Sequence, residues 1–258
     1  MGKKIILNKR AQITLFVILG IIIVVAIIIL AIVLSRLQKQ QTDFINPKQY
    51  IETCIKEELP RPVDTIIDNG GFIEPKFSLM YNGTRYGYLC YTPNFWTRCN
   101  PVYPMLKSDI EKELQDYLDD KITGCFSRLK EWYEKQGYSV NIANPNLIIE
   151  IIPNKISAIA RMRLEISKGS DVQVFDNFDT SVPSDLYDIL SVATTIVSEE
   201  AKFCSFEYMG YTLANPKYRI RLIEYNDNHI YKIKITGSDR EFKFATRGCI
   251  HWRGKVNA

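Results

Sequence analysis

An uninterrupted apolar segment near the start of the chain dominates its pattern of apolar and polar residues. Residues 12–34 contain no charged side chain, and positions 13–34 are almost wholly apolar. As a helix this segment spans roughly 33 Å, because each residue adds about 1.5 Å, and the hydrocarbon core of a bilayer is about 30 Å thick. A core helix of a soluble protein would keep one polar face, whereas every face is apolar here. The pattern therefore predicts a transmembrane helix over residues 12–36.

Downstream of this segment, apolar residues recur at helical spacing in some stretches and alternate with polar residues in others. Helical spacing predicts a short helix that begins at Pro47 and long helices over 104–136 and 183–203. Alternation predicts antiparallel β-meanders over 138–174 and 217–244, with turn residues between their strands. The expected fold class is α+β, with one N-terminal transmembrane helix followed by an extracytoplasmic domain of antiparallel meanders packed with two long helices.

Turn signals and changes of composition divide the chain into four parts. The prolines at 60 and 62 are expected to end the short helix, and short apolar runs between glycine-rich turns predict a small β-rich region over 63–103. The predicted parts are a basic cytoplasmic leader at 1–11, the transmembrane or assembly helix at 12–36, a stalk with the short helix at 37–62, and an α+β domain at 63–258, with a sub-boundary near 137.

The distribution of charge orients the apolar segment in the membrane. Lys3, Lys4, Lys9 and Arg10 precede it, and no acidic residue occurs in residues 1–36. Basic residues favour the cytoplasmic side, so we expect the N-terminus inside and the domain outside, at the cell surface. Five of the 33 basic residues precede position 37, and the other 28 are balanced by all 29 acidic residues. A near-neutral outer domain lacks the basic footprint of a nucleic-acid-binding protein.

All six cysteines follow the apolar segment, and an even number of cysteines outside the cytoplasm predicts disulfide bridges. The pair Cys90–Cys99 is favoured first, because the two lie nine positions apart in a Pro-, Asn- and Tyr-rich stretch and a local loop closes easily. The other expected pairs each couple a predicted helix to another segment, and they are Cys54–Cys125 and Cys204–Cys249. A zinc site is the alternative, but the chain has no C-x-x-C pair and only two histidines.

The residues that begin the apolar segment, KRAQITLF from Lys9 to Phe16, resemble the class III (prepilin-type) signal of archaeal type IV pilins. In that family a prepilin-type peptidase cuts on the cytoplasmic side of the apolar segment, after a basic residue followed by Gly or Ala. The resemblance implies recognition of Arg10 and Ala11 and a cut that makes Gln12 the new N-terminus. The apolar helix would stay in the product, available for self-assembly or for contact with other pilin-like subunits. Phe16 departs from the bacterial pattern, in which a glutamate occupies this place.

A cleaved secretory signal peptide is the other explanation for a basic start followed by an apolar stretch. The apolar region of such a peptide has about 7 to 15 residues and ends at a small-x-small cleavage site. This apolar segment is longer, and Ser35, Arg36 and Leu37 follow it in place of a small-x-small site. The sequence therefore favours a retained helix, and the resemblance to pilins covers only the first 30 or so of 258 residues.

Aromatic residues are dense between positions 81 and 103. Tyr86, Tyr88, Tyr91 and Trp96 are the candidates for binding a sugar, a peptide or another cell, because aromatic side chains offer a large rigid contact area at a low entropy cost. The alternative is that these side chains fill the core of a region with little regular structure. The sequence leaves both roles open.

Asn82 is a candidate for glycosylation. It begins the tripeptide Asn82-Gly83-Thr84, which matches the acceptor pattern N-x-[ST]. Asn-Gly also predicts a tight turn, and the predicted orientation places this turn outside the membrane.

Motifs for catalysis and cofactor binding are absent from the sequence. The patterns G-x-S-x-G, G-x-x-x-x-G-K-[ST], G-x-G-x-x-G, H-E-x-x-H and the EF-hand loop do not occur. His229 is expected in a turn, and His251 lies two residues after Cys249, which would be a nucleophile only as a free thiol. We therefore expect no catalytic residue, no metal site, no cofactor and no enzymatic activity.

Two functions follow from these observations. The first is a membrane-anchored, pilin-like structural or minor subunit of a surface filament or surface complex. Its expected partners are membrane lipid, further pilin-like subunits and the prepilin-type peptidase, with no nucleic acid. The second is a permanently anchored extracellular binding or adhesion module that uses the aromatic-rich loop. Cleavage after Ala11 favours the first function, because it releases the apolar helix from its basic leader.

Overall fold

A computed structural model describes residues 19–31, 45–143 and 146–249. The predicted leader at 1–11, the processing positions Arg10, Ala11 and Gln12, and His251 lie outside these ranges. The chain divides into two units, residues 1–46 and residues 47–258.

Helix α1 comprises residues 19–31 and is the described part of the helix predicted over 12–36. Its large apolar side chains are between 48% and 60% exposed, and they point in all directions around the helix axis. In the described ranges, no helix combines the length and the mean hydropathy needed to cross a membrane.

The unit of residues 47–258 contains helices and two β-sheets, in agreement with the α+β class predicted from the sequence. The helices and strands, in chain order, are α2 (Pro47–Glu58), α3 (Pro60–Asp68), β1 (Ser78–Tyr81), β2 (Thr84–Tyr91), β3 (Asn100–Pro101), α4 (Leu106–Lys135), β4 (Ser139–Ile142), β5 (Asn146–Ile152), β6 (Lys155–Lys168), β7 (Asp171–Pro183), α5 (Leu186–Phe203), α6 (Tyr208–Ala214), β8 (Tyr218–Tyr225), β9 (Asn228–Ile235) and β10 (Glu241–Arg247).

Helix α3 corrects the prediction that the chain leaves helical structure after Pro60. Pro60 and Pro62 occupy the first turn of α3, where a missing backbone N–H costs nothing because that donor has no partner within the helix. Val63, Ile66 and Ile67 recur at helical spacing and are buried. The β-rich region therefore begins only at β1, and α3 covers part of β10.

The first sheet has the order β1-β2-β10-β9-β8, and the short strand β3 also pairs with β2. Its strand pairs are antiparallel except for β2 and β10, which run parallel. The consecutive strands β8, β9 and β10 form the predicted meander, and β9 lies at its centre with its apolar side chains buried. One strand from the early part of the chain is thus inserted beside the last strand.

The second sheet is built around the long strand β6. Strand β7 pairs with β6 along the length of β6. On the other side of β6, β5 pairs with its first half and β4 pairs with its second half. The alternation of buried and exposed residues predicted for this meander is clear in β6. Strand β7 extends beyond the predicted end at residue 174, and its side chains are mostly exposed, so it has no alternating pattern.

Two long helices pack on these sheets. Helix α4 buries an apolar stripe that includes Leu114, Leu118 and Ile122, and it contacts α2, β4 and β5. Helix α5 contacts strands of both sheets as well as α4. Its buried apolar residues make it the element that joins the two sheets into one hydrophobic core.

Candidate functional site

The six cysteines form three disulfide bridges, Cys54–Cys125, Cys90–Cys99 and Cys204–Cys249, which are the pairs favoured from the sequence. The first bridge joins α2 to α4, and the second joins β2 to the residue before β3. The third joins the end of α5 to the residues after β10. Because every cysteine is bridged, none remains as a thiolate ligand for zinc or as a nucleophile beside His251.

Asn82 lies at the exposed tip of the β1–β2 hairpin. Tyr81 pairs with Thr84, which leaves Asn82 and Gly83 as a two-residue turn. Both have positive φ, 48° and 74°, as a type I′ turn requires. The Asn82 side chain is therefore accessible to a modifying enzyme.

The candidate aromatic residues fall into two groups with different environments. Tyr86 and Tyr88 are buried, at 3% and 6% exposure, and pack with Ile230 and Ala245. The Tyr88 hydroxyl donates a 2.7 Å hydrogen bond to Asn228, and burial raises the pKa of Tyr88 to about 12. These two tyrosines fill the core, which is the packing role considered for them above.

Tyr91 is half-buried at the end of β2. Its ring stacks on that of Phe77 at a centroid distance of 4.9 Å, and the guanidinium of Arg247 lies 5.7 Å from the Tyr91 ring. The Arg247 guanidinium also donates to the carbonyl of Thr92 at 2.7 Å. Tyr91 therefore contributes to a fixed surface rather than to a mobile one.

The loop of residues 92–99, which Cys90–Cys99 closes, carries two exposed aromatic side chains. Phe95 is 48% exposed and Trp96 is 66% exposed, and Phe95 was missed as a candidate from sequence. Trp96 has a φ of 62°, a left-handed conformation that is rare for a bulky residue and is tolerated where surrounding contacts impose it. This 92–99 loop is the candidate recognition surface.

Hydrogen bonds fix the base of the 92–99 loop. The Thr92 amide donates to the Arg247 carbonyl at 2.9 Å, and the Cys249 amide donates to the Thr97 carbonyl at 2.6 Å. The hydroxyls of Thr92 and Thr97 lie 3.0 Å apart. Because the base of the loop is already held, binding would cost little backbone conformational entropy.

A buried carboxylate forms a second polar cluster, between α5 and the first sheet. Glu200 is 2% exposed and accepts hydrogen bonds from the Tyr231 hydroxyl and from His229, whose Nδ1 lies 2.8 Å from its Oε1. The hydrogen bond to Glu200 raises the pKa of His229, and burial raises the pKa of Tyr231 further above its usual value. His229 lies in strand β9, which corrects its predicted place in a turn.

The cluster of Glu200, His229 and Tyr231 has the composition of a general-base site, but within the described ranges the strand residues paired with His229 supply no exposed hydroxyl. Thr246 lies directly opposite His229 in the strand register, yet it is only 1% exposed, and its hydroxyl has no hydrogen-bond partner in the described part of the chain. General-base catalysis needs a hydroxyl or water that both the base and a substrate can reach. The visible role of the cluster is to attach the C-terminal half of α5 to the sheet.

A sequence signal for Glu200 exists, although the prediction did not use it. Ile196 and Val197 belong to the apolar face of α5, and Glu200 follows them by four and three residues, which places it on the same face. A carboxylate at such a position requires buried donors, and the neighbouring β-meander supplies His229 and Tyr231. Within residues 19–31, 45–143 and 146–249, no group of three or more His, Cys, Asp or Glu side chains has the geometry to hold a metal ion.

Comparisons of the chain with protein-family models, with curated proteins and with solved structures find no match.

Proposed function

We propose that this protein is a membrane-anchored cell-surface protein of the type IV pilin-like kind, a structural or minor subunit of a surface filament or surface complex. Its N-terminus lies in the cytoplasm, the segment at 12–36 lies in the membrane or in a helical assembly, and the disulfide-bonded α+β unit lies outside the cell. A prepilin-type peptidase cuts after Ala11, and lipid and further subunits contact the apolar helix.

The exposed surface of α1 is the observation that carries this proposal. Apolar side chains that are about half exposed around the whole helix bury their surface in lipid or against similar helices, since isolated exposure of so much apolar area in water is unfavourable. Both environments accept the same helix, because helices associate in lipid through packing rather than through a hydrophobic driving force. This property suits a subunit that moves from the bilayer into a filament.

The disulfide bridges support the outer location of the domain. Structural disulfides persist in oxidising compartments and are rare in the cytosol. Three bridges that use every cysteine fit a domain exported across the membrane.

The N-terminal mass of the protein isolated from its native membrane tests the proposal. We expect a chain that begins at Gln12. An Ala11→Leu variant should keep its leader, because the small residue before the cut is part of the recognised pattern, whereas the matched Ala26→Leu variant in the apolar helix should be processed normally. A native protein that begins at Met1 or Gly2 contradicts cleavage, and a native protein that sediments only as a monomer after cleavage contradicts the assembly role.

The 92–99 loop favours a second candidate function, an anchored adhesion or binding module. Two exposed aromatic side chains on a loop with a rigid base are typical of sugar- or protein-recognition surfaces. Replacement of Trp96 or Phe95 by Ala should reduce binding of the protein to an immobilised panel of cell-surface polysaccharides. The control is Leu213→Ala, which removes an apolar side chain that is 84% exposed on α6. Equal binding by the three variants and the unchanged protein would eliminate this function.

A further inference from the structure

A cleft with a volume of about 330 Å³ lies between α5 and the segment that joins β3 to α4. Its floor consists of the buried side chains of Leu89, Leu106 and Val197. Pro101 of β3 and Pro104 after it also line the cleft. Small-molecule pockets occupy about 300–1,000 Å³ and are mostly apolar with a few polar groups, so this cleft has the size and character of a site for a small ligand.

The aromatic wall of the cleft is preformed. The Tyr103 ring, which lines the cleft, stacks on Phe72 at a centroid distance of 3.6 Å and an interplanar angle of 16°. The Tyr103 hydroxyl accepts a 2.9 Å hydrogen bond from the backbone N–H of Lys76. These contacts hold the ring in place without a ligand.

A disulfide bridge fixes each of the two sides of the cleft. Cys90–Cys99 holds β2 against the start of β3, which carries Pro101. Lys202 lines the cleft from α5 and lies two residues before Cys204, whose bridge ties the end of the helix to Cys249. A ligand that enters a site with both walls fixed loses its own freedom but does not have to order the protein.

Polar groups from α5 form the rim of the cleft. The hydroxyls of Ser191, Thr194 and Thr195 on the same helix donate to the carbonyl four residues before them. Ser198 lines the cleft, and its hydroxyl makes no such bond to Thr194 or to any other described residue. The exposed Lys202 ammonium, one helical turn further, forms no ion pair within the described ranges. The rim therefore offers one hydroxyl donor and one positive charge beside an apolar floor.

We propose that this cleft binds a small apolar carboxylic acid. The apolar body lies against Leu89, Leu106 and Val197, and the carboxylate accepts hydrogen bonds from the Lys202 ammonium and the Ser198 hydroxyl. A charge-assisted pair at the rim leaves the ammonium partly solvated, and the apolar floor supplies most of the favourable burial. The site is independent of N-terminal cleavage and of the 92–99 loop, so it adds to the proposed surface role.

Photoaffinity labelling of the full-length protein in lipid nanodiscs tests the site. The probe is a ten-carbon carboxylic acid with a diazirine on its chain, and the comparison compound is the corresponding alcohol. Peptide mass spectrometry should find acid-specific labels on the segments around residues 100–106 and 197–204. Competition with unlabelled decanoate and with naphthoate then distinguishes an aliphatic from an aromatic acid as the preferred ligand.

Substitutions separate specific binding from adsorption to apolar surface. Lys202→Gln should reduce labelling by the acid about tenfold and leave labelling by the alcohol unchanged, since the charge-assisted hydrogen bond alone is lost. Ala201→Phe and, independently, Ser198→Trp should remove labelling of the cleft by filling it, with circular dichroism as the check of folding. Lys155→Gln, a lysine outside the cleft, is the matched control. Equal labelling by acid and alcohol, or acid labelling that survives both Lys202→Gln and the filling substitutions, overturns the proposal.

Discussion

The three disulfide bridges should contribute unequally to stability, in an order set by the length of chain that each one closes. Cys54–Cys125 closes 71 residues, Cys204–Cys249 closes 45 and Cys90–Cys99 closes 9. A bridge restricts the unfolded chain more when its loop is longer. The loop-entropy relation gives about 4.4, 4.0 and 2.6 kcal/mol for the three bridges at 25 °C.

The perturbation is the replacement of both cysteines of one bridge by Ala, one bridge at a time. The Cys90/Cys99 pair is more buried than the Cys54/Cys125 pair, so its replacement also loses more packing. The lost packing destabilises the variant without Cys90–Cys99 further. It therefore reduces the difference in unfolding free energy between the two variants, which loop entropy alone puts at about 1.8 kcal/mol. We still expect the variant without Cys54–Cys125 to be the less stable by about 1 kcal/mol.

Guanidinium chloride unfolding under non-reducing conditions, followed by circular dichroism, measures these free energies. The guanidinium group of Arg128 lies 3.2 Å from the Cys54 sulfur, and an Arg128→Lys variant with the bridge intact controls for the loss of that contact. A variant without Cys90–Cys99 that is less stable than the variant without Cys54–Cys125 would refute the loop-length argument. It would show that local packing around β2 dominates.

Three further substitutions test individual contacts of the folded domain. A Cβ on Gly87 would lie 2.5 Å from the Asn69 carbonyl oxygen, so Gly87→Ala should lower the free energy of unfolding by about 1–3 kcal/mol. Gly124→Ala on α4 meets only ordinary contacts and should raise the free energy of unfolding by about 0.5–1 kcal/mol. Chemical denaturation measures both changes. Because the hydrogen bond to Glu200 raises the pKa of His229, the stability that His229 contributes is complete below the unfolded pKa of about 6.5 and is lost as the pH rises through the folded value. The stability difference between the unchanged protein and His229→Gln should therefore shrink from pH 5.5 to pH 9, and a difference that grows with pH would contradict this assignment.

The sequence predicted those elements whose apolar pattern is local and complete. Helix α4 follows from the spacing of Leu114, Leu118 and Ile122, and β6 follows from alternation over its whole length. Helix α3 was not predicted, because its prolines were interpreted as the end of the preceding helix, although proline also suits the first turn of a helix. The part of strand β7 after residue 174 was not predicted, because the side chains of this strand are mostly exposed and show no alternation of buried and exposed positions.

Tertiary relations between distant residues could not be read from local patterns. The parallel pairing of β2 with β10 cannot be predicted from the apolar pattern of either strand alone. The same is true of the Glu200 cluster, in which the helix supplies the carboxylate and a later strand supplies both donors. The exposure of Phe95 and Trp96, compared with the burial of Tyr86 and Tyr88, depends on which side of β2 faces the core and where the strand ends.

The insertion of β2 beside β10 imposes an order on folding. The pairing of the two strands places Tyr88 beside Ala245, and these residues are separated by 157 positions. During synthesis, β2 must remain without its inner neighbour until β10 has been made. Contacts of such long range slow folding and leave apolar strand surface exposed in the meantime. The first sheet is therefore completed only after β10 has been made, and chains truncated before β10 should be unable to close it.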